Sequence, residues 1–144
     1  IARPRSAEGR LMPFEKIQPP GWAKPIGYAN GMLVTGGRLL FIAGQVAFDA
    51  QGKVEGVGDL AAQFRRTLSN IREVCETAGG RIDQVVKMTV FVKDKDDYRR
   101  RAAELGAIWK DIVGRHFPAM TLVEVSNFYE PDVLIEIESV AVID

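Results

Sequence analysis

The sequence has few of the features that mark disulfide-stabilised, membrane-spanning or polyanion-binding proteins. It contains one cysteine, Cys75, which excludes an intrachain disulfide and fits a reducing compartment. Lys plus Arg and Asp plus Glu number 19 each, so the net charge is zero and no positive excess attracts nucleic acid. The most hydrophobic short stretch, residues 39–44, has the length of a strand rather than of a membrane span. We therefore expect a cytoplasmic protein that binds neither nucleic acid nor membrane.

The chain length of 144 residues predicts one domain with one two-layer core. The first residues are rich in Arg, Ala, Pro and Gly, and they lack the apolar segment of a signal peptide. Met12 is a candidate natural start. We predict that residues 1–12 are a disordered N-terminal extension or expression remnant and that residues 13–144 form the domain. Residues 13–31 contain many Pro and Gly residues and predict an irregular arm.

Hydrophobic periodicity predicts the regular elements. Gly36-Gly37 separates two short apolar runs, at 32–35 and 38–43, which predicts a hairpin with a two-residue turn. From Asp59 to Ala78 apolar residues recur every three to four positions, which predicts a capped amphipathic helix. The remaining predicted elements are a strand at 85–92, a second helix that Asp96 or Asp97 caps, and strands at 119–125 and 133–143.

This order of elements predicts an α+β fold in which two helices pack on one face of a mixed sheet. Two helices cannot cover both faces of such a sheet. Apolar residues on the predicted strands, among them Phe91 and Val140, would then be exposed in a monomer. We expect oligomerisation to cover the second face.

Several short segments together resemble one family. The segments are Gly27-Tyr28, Phe41 to Gln45, Asn70 to Gly79, Val86 to Asp94, Phe117-Pro118-Ala119 and Ile135 to Glu138. Each segment by itself is weak evidence for a family. Their order and spacing from about residue 28 to 142, however, are similar to those of the RidA/YjgF superfamily. The resemblance implies a chorismate-mutase-like α+β fold and a homotrimer with three pockets between subunits.

The activity that the resemblance implies is hydrolysis of reactive 2-imino acids, or their enamine tautomers, to 2-keto acids and ammonia. No metal or organic cofactor takes part. In that chemistry an Arg binds the substrate carboxylate and a Glu positions or activates water. A Tyr, backbone groups and a Ser complete the site.

The site residues that the resemblance implies are only partly present in this chain. Tyr28, Gly44 and Glu136 match the Tyr, pocket Gly and catalytic Glu of the family. The Arg, Ser and Asn positions are apolar here, and they correspond to Met120, Ala43 and Ala102. The candidate catalytic residue is Glu136, and the candidate substrate-binding residues are Tyr28, Ala43, Gly44, Phe91, Met120, Thr121 and Leu122. No metal ligands are expected.

Each of these candidates also has a purely structural interpretation. Glu136 and Glu138 share one face of a predicted strand and could form its solvated side. Tyr28 could be a core aromatic residue with a bonded hydroxyl. His116, the only histidine, lies near a predicted helix end and is more typical of a partner for the helix dipole than of a catalytic base.

Replacing the Arg by Met120 removes a bidentate charged donor, because a thioether has neither charge nor hydrogen. Losing such a partner costs about 3–5 kcal/mol, or roughly a hundredfold in affinity, unless another cation substitutes. The candidate cations are Arg99, Arg100, Arg101, Arg115 and His116. We expect a small-molecule hydrolase or deaminase acting on another substrate, with an apolar or aromatic part against Met120. The alternatives are a non-catalytic ligand-binding or regulatory trimer and, with less support from charge, an endoribonuclease.

Overall fold

The computed structural model describes residues 3–6 and 8–144. Residues 1, 2 and 7 of the predicted N-terminal extension lie outside the described residues. The strands are β1 (Phe14–Ile17), β2 (Gly31–Val34), β3 (Arg38–Gln45), β4 (Val85–Val92), β5 (Ala119–Glu124) and β6 (Ile135–Ile143). The helices are α1 (Leu60–Thr77), α2 (Lys95–Arg100) and α3 (Ala102–Ile112), with a single 3-10 turn at Ile82–Gln84.

The main sheet has four strands in the order β3-β6-β4-β5. β6 is antiparallel to both of its neighbours, whereas β5 is parallel to β4, so the sheet is mixed. α1 and α3 pack on one face, where Met88, Val90 and Ile137 are fully buried. The α+β fold with helices on one face is therefore confirmed. No helix among residues 3–6 and 8–144 is both long and apolar enough to cross a bilayer.

The first predicted helix is present with the predicted bounds. Asp59 caps α1, because its carboxylate accepts a hydrogen bond from the Ala62 N–H at 3.1 Å. Gly79 follows the helix with a φ of +86°, a conformation that favours glycine and stops the helix. Cys75 lies on the buried face of α1, where burial raises the pKa of its thiol to about 11.

The second predicted helix begins earlier than expected and is broken in two. Asp94, rather than Asp96 or Asp97, is the N-cap, because its carboxylate accepts from the N–H groups of both residues, at 2.9 and 3.0 Å. The helix is interrupted at Arg101, whose φ and ψ of −94° and 15° are not helical. The apolar residues Leu105, Ile108, Trp109 and Ile112 of α3 are buried.

The predicted hairpin across Gly36-Gly37 is wrong. β2 pairs with β1 in a separate two-stranded sheet, which we call the ribbon, and β3 pairs with β6. A Cβ added at Gly37 would lie 2.8 Å from the Ile143 carbonyl oxygen, and φ there is +83°. The glycine pair therefore makes a turn that carries the chain from the ribbon into the main sheet. The ribbon also contains β1, in a region where the sequence predicted only an irregular arm.

The ribbon covers one end of the sheet face that the helices leave free. Met12, Phe14, Val86 and Val142 form a second buried cluster there. Val142 alternates with Ala141 and Ile143 of the main core, so its side chain projects from the opposite face. The other end of this face is uncovered in the chain, and Phe41 on β3 is 74% exposed. We call this uncovered part the open face.

Candidate functional site

Glu136 lies on the open face beside a glycine. Its neighbours along β6, Ile135 and Ile137, belong to the main core, so the Glu136 side chain projects to the opposite side. A Cβ added at Gly44 would lie 3.0 Å from Glu136 Cδ and closer still to Oε2. A residue with any side chain would therefore displace this carboxylate.

A bulge in β3 brings Gly44 to this position. Ile42 is in register with Ser139 and Gln45 with Ile137, so β3 has one residue more than β6 over this stretch. An extra residue bends the strand and redirects its side chains. Ala43 lies in the same bulge and lines a cavity of about 500 Å³ on the open face. The walls of this cavity also include Phe41, Lys87, Thr89, Glu138 and Val140.

Two more predicted residues lie on the open face. Phe91 of β4 is in register with Glu136 on one side and with Val123 of β5 on the other. Thr121 accepts a hydrogen bond from Lys87 Nζ at 3.1 Å. The open face therefore carries five of the eight predicted site residues, namely Ala43, Gly44, Phe91, Thr121 and Glu136.

The other three predicted residues lie on the helix side of the sheet. Tyr28, Met120 and Leu122 line a cavity of about 540 Å³ against α3. Met120 is in register with the buried Met88, which fixes the face to which its side chain points. Ala102, the residue that replaces the family's Asn, lines the same cavity.

Stacking and a hydrogen bond hold the aromatic wall of this cavity. Trp109 stacks on Phe117 with ring centroids 5.7 Å apart, and its indole N–H donates to the His116 carbonyl at 3.0 Å. Tyr28 is held by its neighbour, because the Ala29 N–H donates to the Pro118 carbonyl at 2.9 Å at the start of β5. The Tyr28 side chain is 43% exposed, so it is not a core aromatic residue.

Comparison with known proteins places this arrangement in a family. Residues 24–143 match the family model described as Endoribonuclease L-PSP. The chain belongs to this family, the RidA/YjgF superfamily. A RutC family protein of Pyrococcus horikoshii is 38% identical over 118 residues, which are 82% of this chain and 89% of that protein.

Solved structures of the RidA/YjgF superfamily share the fold. A protein of unknown function from Yersinia pestis, the Rid family member YyfB, has a TM-score of 0.80 at 32% identity. The match covers 92% of this chain and all of YyfB. The YjgF gene product of Escherichia coli has a TM-score of 0.64 at 36% identity, over 80% of this chain and 87% of that one.

Two of the helix cations that the sequence suggested as substitutes for the Arg are engaged elsewhere in this RidA/YjgF chain. Arg100 and Arg101 both contact the Asp97 carboxylate, at 3.1 and 3.0 Å. His116 is not a helix-dipole partner, because it lies beyond α3 and its Nε2 is 2.6 Å from the Val85 carbonyl oxygen. A carbonyl only accepts, so Nε2 carries the proton. Burial lowers the pKa of this imidazole.

Two lysines that the sequence analysis did not single out lie close to Tyr28. Lys16 of β1 and Lys24 of the following loop line a cavity of about 350 Å³ that also includes Tyr28. Lys16 precedes the part of the chain that matches the family model. Residues 14–17, Phe-Glu-Lys-Ile, do not alternate between apolar and polar, so the sequence carried no clear signal of this strand. Within the described residues, no group of three or more His, Cys, Asp or Glu side chains could hold a metal ion.

Proposed function

We propose that this RidA/YjgF chain is a cytoplasmic small-molecule hydrolase or deaminase that acts on an imine, enamine or related C–N substrate without a metal or organic cofactor. The observation that supports the proposal is the Glu136 carboxylate above Gly44 on the open face. The carboxylate is half-buried, and no ion pair engages it within the described part of the chain. It is therefore available to bind and orient a water molecule.

The chemistry assigned to Glu136 is general acid-base catalysis. The carboxylate takes a proton from water as the water oxygen bonds to the imine carbon, and it gives this proton to the substrate nitrogen to form the carbinolamine. The carboxylate then transfers the hydroxyl proton of the carbinolamine to the nitrogen, so that the carbon–nitrogen bond breaks, ammonia leaves and the carbonyl forms. A positioned base of this kind contributes about 10²–10⁴-fold to such a step.

A homotrimer with sites between subunits accounts for the division of the predicted residues. Met120 and Glu136 project from opposite faces of one sheet, so one chain cannot enclose a small substrate between them. A second copy, packed with its open face near the Met120 cavity, would complete the site. The exposed side chains of Leu39, Phe41 and Val123 on the open face favour such an association.

The substrate that we propose has an apolar or aromatic part. Met120 and Ala102 give the cavity an apolar lining where the family would place an Arg and an Asn, and Leu122 adds to that lining. A short 2-imino acid would find no bidentate partner for its carboxylate at residue 120. Short imines such as those of alanine or serine should therefore be poor substrates.

The test compares wild type with Met120→Arg on 2-imino acids that an amino-acid oxidase generates in situ, with keto-acid release as the measurement. We expect very slow wild-type turnover and a partial gain in Met120→Arg, because Ala43 and Ala102 still lack their polar groups. Glu136→Gln in the Met120→Arg background is the control and should abolish the gain. Absence of any gain in a folded Met120→Arg variant would contradict the proposal.

The second candidate is a non-catalytic ligand-binding or regulatory trimer. The apolar residues Met120 and Ala102 at two of the family's polar positions favour it, because they remove polar groups but leave a cavity of about 540 Å³. Ligand binding with no turnover, unchanged in Glu136→Gln, would decide for this candidate. Endoribonuclease activity, which the family description names, receives no support from a net charge of zero. RNA cleavage that co-purifies with the protein and vanishes in Glu136→Gln would establish it instead.

A further inference from the structure

Tyr28 stands between two cavities of different character. On one side is the apolar cavity that contains Met120. On the other is the cavity of about 350 Å³ that Lys16 and Lys24 line. The two cavities share Gly27, Tyr28 and Phe117, so they lie next to each other around the phenol ring.

The two lysines have no carboxylate partner. No ion pair involves Lys16 or Lys24 among residues 3–6 and 8–144, and Ile1, Ala2 and Ala7 have no acidic side chains. Lys16 is partly buried on the ribbon, and this burial lowers the pKa of its ammonium group. An ammonium group that is removed from water without a counterion is destabilised, and a bound anion would relieve that cost.

The polar groups around the lysines are already bonded to one another. Asn30 Nδ2 donates to Gln18 Oε1 at 2.6 Å. Gln18 Nε2 in turn donates to the carbonyls of Trp22 and Ala23, at 3.4 and 3.3 Å. The charged groups in the wall of this cavity are therefore the two lysines, and the rest of its lining is neutral.

We propose that Lys16 and Lys24 form an anion subsite, which binds the carboxylate of an acid whose apolar or aromatic part occupies the Met120 cavity. This inference rests on the proposed function and names its substrate class. The cation that residue 120 lacks is then supplied from the other side of Tyr28. Lys16 lies on β1, before residue 24 where the family match begins, so this subsite is partly built by the ribbon.

The test uses 4-phenylbutyrate and its neutral analogue 4-phenylbutanamide as probes. The chain has two tryptophans, and only Trp109 lines the apolar cavity, so Trp22→Phe makes indole fluorescence specific for that cavity. In this background we expect the acid to bind at least about tenfold more tightly than the amide, which corresponds to about 1.4 kcal/mol. Salt should weaken binding of the acid alone.

Two substitutions and a matched control locate the charge. Lys16→Met and Lys24→Met should each weaken acid binding by about tenfold and leave amide binding unchanged. Lys53→Met is the control, because it removes the same charge from an exposed turn. It should change neither acid binding nor amide binding. Equal affinity of the wild type for the two probes, no binding of either, or a parallel loss of both in the Lys variants would overturn the anion subsite.

Failure of the hydrolase proposal is a separate outcome. Hydrolysis depends on Glu136, whereas the anion subsite depends on Lys16 and Lys24, so imine turnover and 4-phenylbutyrate binding are measured separately on the wild type. If the acid binds as described but imines are not hydrolysed, the anion subsite stands and the chain is a binding protein. If imines are hydrolysed but the acid and amide bind equally, the hydrolase stands and the subsite is wrong.

Discussion

The two faces of the four-stranded sheet differ in what covers them. On the helix side, Met88, Val90 and Ile137 are fully buried under α1 and α3. On the other side, the ribbon covers one end, and the open face keeps Phe41 and the half-buried Glu136 accessible. One set of strands thus supplies the core with alternate residues and leaves the residues between them free for association and chemistry.

This difference explains why the predicted site is divided. Five of its residues lie on the open face, whereas Tyr28, Met120 and Leu122 lie on the helix side. Neighbouring positions in a strand point to opposite faces, so no rearrangement of side chains within one chain can unite them. If the open face is an interface, a charge placed there should separate the copies while the helix side stays folded.

The largest expected effect is therefore on assembly. Light scattering at micromolar concentration should give the wild type a mass near three times 15.9 kDa. Phe41→Asp should give a monomer of 15.9 kDa with unchanged circular dichroism, because a carboxylate buried in an apolar interface is strongly unfavourable. Val57→Asp, in an exposed loop, should keep the wild-type mass. A wild-type monomer would exclude both the trimer and a site between subunits.

The second-largest expected effect is on stability, and it differs between adjacent residues of β6 that point to opposite faces of the sheet. Ile137→Ala should lower the free energy of unfolding by about 2–5 kcal/mol, because it leaves a cavity in the main core. Glu138→Ala, whose side chain points to the other face, should lower it by much less, because it leaves no cavity in the main core. Urea unfolding at one fixed protein concentration measures both. Similar losses in the two variants would mean that both faces are buried to the same extent.

The periodic elements could be predicted from the sequence because burial on one face leaves a local signal. α1 was found with its cap, since Asp59 and Gly79 bracket a single apolar stripe. The pairing of β2 could not be predicted in the same way. A Gly-Gly turn specifies backbone angles, but whether the next strand pairs with its predecessor or with β6 depends on packing distant in sequence.

The candidate site, like the fold, could be predicted only in part from the sequence. The resemblance grouped Gly44 and Glu136, and the structure brings these two residues together. Their separation from Met120 follows from strand alternation. Neither the resemblance nor strand alternation predicts the position of Lys16 near Tyr28. The ribbon packs through Met12 and Phe14 onto strands more than seventy residues later in the chain.

The third effect concerns the contact between Gly44 and Glu136. Gly44→Ala should reduce turnover by about tenfold or more, because the new Cβ would displace the carboxylate from its position against the bulge. Gly36→Ala is the control, since a Cβ there would contact nothing within 4 Å. The measurement is turnover of the best imine substrate at matched circular dichroism. Equal activity of the two variants would show that catalysis does not need this contact.

The smallest effect concerns pH and the ribbon. His116 lies against Phe14, with ring centroids 5.6 Å apart, and its pKa is lowered by burial from the usual value of 6.5. The unfolded chain therefore binds more protons, and stability should fall as pH drops below about 6.5, by at most about 1.4 kcal/mol per pH unit. In His116→Gln this part of the pH dependence should be absent. Identical pH profiles of unfolding for the two proteins would mean that His116 is accessible in the folded chain.

Because Cys75 is buried in α1, its rate of chemical modification reports how often the native protein exposes this residue. With a thiol pKa of about 11, only about one molecule in a thousand would carry a thiolate at pH 8 even if reagent could reach it. Contact with reagent also requires that α1 leave the sheet, since the side chain has no exposed surface. The rate at which a thiol reagent modifies the native protein therefore measures how often the helix layer separates from the strands, without any engineered probe.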